Sequence, residues 1–186
     1  FSQQFWEVVS ITDGENPSIA LTYTSIANEE NFPGEVAAQV TYTLTESNEV
    51  RVAFRATTSE DTIINLTQHS YFNLDGHQSD IKNQQLYVNA KQILEVDEQN
   101  IPTGNFTPLD NHSFDFRTEK PCPQSIDNTF VLDRGLLKAT LFNPKNNLKL
   151  SVFTNQPAIH IYVGGNCFGQ IKGKQQSDYH QLSGIC

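Results

Sequence analysis

Two-residue alternation of apolar and polar side chains, repeated along the chain between short turn-rich segments, most constrains what this sequence can fold into. In "QVTYTLTE", Val40, Tyr42 and Leu44 alternate with Thr41, Thr43 and Thr45; in "EVRVAFRAT", Val50, Val52, Phe54 and Ala56 fall on one face. The short polar "ESN" between them predicts an antiparallel hairpin. Further strands are predicted in "SIALTYTS", "DTIINLTQHSYFNL", "QQLYVNA", "KQILEVD", "LLKATLFN", "NLKLSVFTN" and "AIHIYVGG". Their separators carry Gly, Pro, Asn and Asp, and "NFPGEV" reads as a structural turn on Pro33-Gly34. No stretch sustains a 3.6-residue apolar period with caps. The expectation is an all-β chain of about ten strands in an antiparallel sandwich or barrel, with little helix, forming a single domain over residues 1–186.

Charge narrows the partners. The chain carries 12 Lys and Arg against 21 Asp and Glu, a formal charge of −9. That sign repels phosphate backbones and anionic membrane surfaces, so neither nucleic acid nor membrane is an expected partner, and a neutral small molecule is. No apolar run is long enough to span a bilayer, and "FSQQFWEVV" lacks the basic-then-apolar layout of a signal peptide. Cys122, Cys167 and Cys186 are odd in number, far apart and without a C-x-x-C pair. They read as reduced thiols of a cytoplasmic protein. None of His69, His77, His112, His160 and His180 stands at a metal-ligand spacing, so no metal is expected.

Three segments could carry chemistry. In "NLTQHSYFNLDGH", a strand would put His69, Tyr71 and Asn73 on one face. Imidazole, phenol and carboxamide together suit a polyol ligand; equally, they make an ordinary polar outer sheet face. In "SIDNTFVLD", Asp127 either closes a turn or projects into a pocket, where an ionised carboxylate accepts hydrogen bonds from sugar hydroxyls. In "TNQPAIHIYVGG", His160 and Tyr162 share a face, while Gly164-Gly165 signals a special backbone, a close approach or a bulge.

Taken in order, "LTYTS…NFPGEVAAQVTYTL", "NLTQHSYFNLDGH", "SFDFR", "SIDNTFVLD" and "TNQPAIHIYVGGN" resemble the aldose 1-epimerase (galactose mutarotase) family over essentially the whole chain. The resemblance implies a β-supersandwich fold and interconversion of the α and β anomers of free aldohexoses such as galactose and glucose, with no cofactor. It implies that His69 is the general acid, giving a proton to the ring oxygen while a glutamate removes the proton of the C1 hydroxyl. Histidine suits this task because as a residue type it titrates near ~6.5. Asp127 matches the family aspartate that holds sugar hydroxyls, with Tyr71 and His160 as further substrate-binding residues. At the position of His160 the family often has glutamine.

The glutamate base of the family lies in a Leu/Phe-Glu-Thr/Ser-Gln segment, and this sequence reads "LSGIC" at Leu182 to Cys186 just where that segment approaches. A second family histidine falls just before Phe1. The expectation is therefore the central and C-terminal part of a mutarotase-like domain, lacking its first and last strands. Such a chain would be nearly inactive alone and would self-associate through unpaired sheet edges. Two other readings stand beside it: a non-catalytic carbohydrate-binding module, and a hexose-6-phosphate epimerase. The latter needs clustered cations, and Arg51, Arg55, Arg117 and Arg134 are scattered in sequence.

Overall fold

The computed structural model describes residues 1–164 and 172–186. Gly165 and Cys167, both singled out above, lie outside the described residues. Almost all regular structure is β, and the only helical pieces among the described residues are single 3-10 turns at Glu29–Asn31 and Lys174–Gln176. No helix among them is long and apolar enough to cross a membrane. The chain resolves into two compact units, Phe1–Gln68 and His69–Cys186.

The first unit is a meander of four antiparallel strands: β1 (Glu7–Thr12), β2 (Ser18–Ser25), β3 (Val36–Leu44) and β4 (Val50–Thr58), in that spatial order. The predicted hairpin is β3–β4, with Val40 opposite Phe54 and Leu44 opposite Val50. Alternation works as expected in β3, where Val36, Ala38 and Val40 are buried and Ala37 is exposed. The "NFPGEV" turn is structural. Gly34 has φ 76°, and a Cβ there would sit 3.0 Å from the Glu60 backbone nitrogen.

The second unit contains two four-stranded antiparallel sheets. Its strands are β5 (Gln85–Val88), β6 (Ala90–Val96), β7 (Pro102–Pro108), β8 (Lys120–Pro121), β9 (Ile126–Leu132), β10 (Leu137–Asn143), β11 (Leu148–Phe153) and β12 (Ala158–Val163). One sheet runs β11-β10-β5-β8 and the other β12-β9-β6-β7. Their inward residues, among them Leu86, Val88, Ile93, Phe130, Leu141, Ile161 and Val163, form one apolar cluster with Ile81, Leu109 and Phe116.

Two expectations need correction. Strands β1, β7, β8 and β9 lie outside the predicted runs: β1 is exposed along its whole length, β7 is bounded by prolines and interrupted by Gly104, β8 has only two residues, and the Asp127 segment, left open between turn and pocket, forms β9. The larger correction concerns "DTIINLTQHSYFNL", which is irregular except for an isolated bridge from Phe72 to Ile185. Its side-chain amides compete with the ladder. Asn73 donates to the carbonyls of Ser79 (2.8 Å) and Ser183 (3.1 Å) and accepts from the Asp75 N–H (2.9 Å), which closes a turn rather than extending a strand.

Candidate active site

The segment bearing His69 is held without being a strand. Phe72 and Ile185 exchange backbone hydrogen bonds of 2.7 and 3.0 Å. Gln84, almost wholly buried, donates to the Asn73 carboxamide oxygen at 2.7 Å and accepts from the Leu74 N–H at 3.1 Å. Asn143 and Asn146 both donate to the Leu74 carbonyl, and Lys145 pairs with Asp75 at 2.9 Å. Buried amides satisfied on both sides fix a loop nearly as firmly as a ladder does. Asn73 is therefore a structural hub, and does not share a ligand-facing surface with His69.

His69 and Tyr71 do stay together. Their rings stack with centroids 5.3 Å apart and planes 26° from parallel. Tyr71 meets Tyr162 edge-on at 6.4 Å. On β12, Tyr162 lies directly opposite Asp127 of β9, and His160 lies opposite Thr129. His160 bonds through Nε2 to Asp127 Oδ1 and through Nδ1 to Thr129 Oγ1, each at 2.9 Å. A run of contacts thus joins His69, Tyr71, Tyr162, Asp127, His160 and Thr129, drawn from three segments distant in sequence.

The surface is open to a solute: His69 is exposed, Tyr71 is 47% exposed, and the Asp127 and His160 side chains are 53% and 54% exposed. Among the described residues the His69 ring nitrogens carry no hydrogen bond. Aromatic planes beside a carboxylate offer a sugar both stacking surface for its C–H faces and acceptor oxygens for its hydroxyls.

Two neighbours escaped sequence reasoning. Thr129 was hidden because its role depends on the β9–β12 register. Cys186 pairs with Tyr162 through backbone bonds of 2.9 and 3.1 Å, and Gly184 beside it comes close enough that a Cβ would lie 3.2 Å from Tyr71 Cβ. Burial pushes the Cys186 thiol up, with the Asp127 charge in the same direction and a hydrogen bond from Tyr71 opposing. It is thus a poor nucleophile. Gly164 has φ 106° and packs on Gln181, so the special backbone expected at the end of β12 is present.

Elsewhere, Arg117 and Arg134, scattered in sequence, line one cleft of about 500 Å³ with Lys91, Asp133, Tyr87 and Asn89. Its cations are largely spoken for: Arg117 binds Asp115 (2.7 Å) and Asp110 (2.8 Å), and Lys91 faces Asp133 at 3.5 Å.

A family model described as aldose 1-epimerase matches residues 1–186. The chain belongs to the aldose 1-epimerase family. It is 30% identical to the aldose 1-epimerase of Escherichia coli K12 and 35% identical to the galactose mutarotase of Sus scrofa, with 100% of this chain aligned in each case. The alignments cover 57% and 56% of those proteins, so the chain spans just over half the length of the relatives it matches. The solved galactose 1-epimerase of Lactobacillus acidophilus superposes on 99% of this chain with a TM-score of 0.86 at 25% identity, covering 57% of that structure. An aldose epimerase homologue from C. elegans superposes on 97% with a TM-score of 0.85 at 27% identity, covering 57% of that structure. The fold is therefore the all-β galactose mutarotase fold.

Proposed function

We propose that this chain carries the histidine-bearing half of a mutarotase site that interconverts the α and β anomers of free aldohexoses such as galactose and glucose. The observation that carries the reading is the convergence of His69, Tyr71, Tyr162, Asp127 and His160 on one accessible face in a member of this family.

In this proposal His69 donates a proton to the ring oxygen as the C1–O bond breaks. A glutamate takes the proton of the C1 hydroxyl, so that an aldehyde forms. Rotation about C1–C2 and reversal of both transfers closes the ring in the opposite anomer. An acid and a base acting together each contribute on the order of 10²–10⁴-fold. Asp127 accepts from sugar hydroxyls, His160 completes that polar pair, and Tyr71 walls the sugar. No glutamate of these 186 residues stands in the family's base motif, and the proposal assigns that role to none of them. The two free thiols among the described residues, Cys122 and Cys186, support a cytoplasmic setting.

The test combines binding with turnover. Saturation-transfer NMR with D-galactose is expected to show binding to the 186-residue polypeptide, while polarimetry of freshly dissolved α-D-galactose shows mutarotation near the buffer rate. Absence of binding overturns the sugar-site reading. Strong acceleration overturns the missing-base proposal alone.

A further inference from the structure

Alternation along β9 and β12 puts Asp127 and Thr129 on the face that also carries His160 and Tyr162, and the register sets His160 against Thr129. The imidazole therefore lies between a hydroxyl directly opposite and a carboxylate one residue pair further along, at 2.9 Å from each. Donor chemistry assigns the protons. An ionised carboxylate only accepts, so Nε2–H donates to Asp127 Oδ1; Nδ1 of the neutral ring then accepts from the Thr129 hydroxyl. Both in-plane positions of the imidazole are thereby used. No ring nitrogen is left for a sugar hydroxyl, whereas Asp127 Oδ2 carries no hydrogen bond among the described residues.

We infer that His160 is a positioning residue rather than a sugar contact: clamped by Thr129, it orients Asp127 so that Oδ2 meets a sugar hydroxyl. This rests on reading the face as an aldose site, and it gives Thr129 a role that no motif assigns. A carboxamide at this position could donate to Asp127 and still accept from the sugar. The clamped imidazole cannot, so orientation of Asp127 is what His160 contributes. Hydrogen bonds to charged groups are among the stronger ones in proteins, and misorienting Asp127 forfeits most of one.

A double-mutant cycle on D-galactose affinity tests the idea. His160→Ala is expected to weaken binding roughly tenfold, and Thr129→Val roughly threefold with recovery in Thr129→Ser. In an Asp127→Ala background, His160→Ala is expected to cost nothing further. Multiplicative losses in the double mutant would overturn the inference, because His160 would then hold the sugar itself. A second readout stands apart from sugar binding: two-bond ¹H–¹⁵N spectra of the free protein at about pH 8, where neutral imidazole dominates for ordinary histidines. A single Nε2–H tautomer at His160 that becomes a mixture in Asp127→Ala upholds the clamp. A mixture in the unmutated protein overturns it. If galactose fails to bind at all, the aldose reading falls, and the tautomer result decides whether the Thr129–His160–Asp127 clamp exists.

Discussion

Residues Phe1–Gln68 and His69–Cys186 are written in the same alternating code, yet they use it differently. In the first unit, Ala20, Val36, Ala38 and Val40 are buried, while Val8, Val9, Ile11, Leu44, Val50 and Ile63 are exposed. The second unit gathers fifteen buried side chains into one cluster, with Phe130 fully enclosed. A single sheet has two faces, and a period of two fills only one of them; two sheets provide a shared interior. The rigid platform is therefore the unit that carries His69, Tyr71, Asp127 and His160. An arrangement of stacked rings and 2.9 Å bonds keeps its geometry only where the strands beneath it are packed.

The contrast predicts its largest effect in the core. Phe130→Ala should destabilise by about 3–5 kcal/mol in urea unfolding followed by the second unit's signals. Phe54→Ala in β4 should cost under about 1 kcal/mol. Equal costs would erase the distinction between the units.

Edge strands give the next effect. β1 and β4 bound the first sheet, and Ile11 and Val50 on them are 68% and 69% exposed. We expect self-association in sedimentation velocity, weakened roughly tenfold or more by Ile11→Lys with Val50→Lys, since each removes apolar surface and charges an edge. A protein monomeric at all concentrations would contradict this.

Acid should act on the second unit more gently. Hydrogen bonds from the Arg117 guanidinium hold the Asp115 carboxyl down to about 2. An unfolded aspartate titrates near ~3.9, so the folded state binds fewer protons, and this contribution is present above that pH and lost as pH falls towards 2. Solvent screening limits it to less than about 1 kcal/mol. Asp115→Asn should flatten the acid limb of the melting curve between these values; an unchanged limb would show the pair to be inert. The smallest signal is chemical. Burial pushes the Cys122 thiol up to about 12, so a thiol reagent near neutral pH should label Cys122 only as the second unit unfolds.

Most strands were legible because β-branched and aromatic residues alternate without helical competition. What sequence did not reveal has tertiary causes. β1 and β7 have edge compositions, and "TIINLTQHS" alternates on paper but finds no partner strand. The pairing of His69 with Tyr71 survived the loss of the strand, because their rings stack on each other; Asn73 did not join them, because Gln84, Ser79 and Ser183 claim its carboxamide. His160 and Tyr162 were legible on their own strand, whereas the segment of Asp127, left open between a turn and a pocket, became strand β9 only in the folded sheet. Their meeting, and the parts played by Thr129 and Cys186, depend on a register that only the folded sheet displays.

The central claim is that this face of the second unit is an aldose site. The most direct measurement is a D-galactose titration followed in the ring resonances of all five histidines and of Tyr71 and Tyr162. The account predicts that His69, His160, Tyr71 and Tyr162 shift together along one saturable curve, that His77, His112 and His180 stay still, and that Asp127→Asn weakens the curve. Uniform small drifts across all five histidines, or saturable shifts confined to His77, His112 and His180, would contradict it.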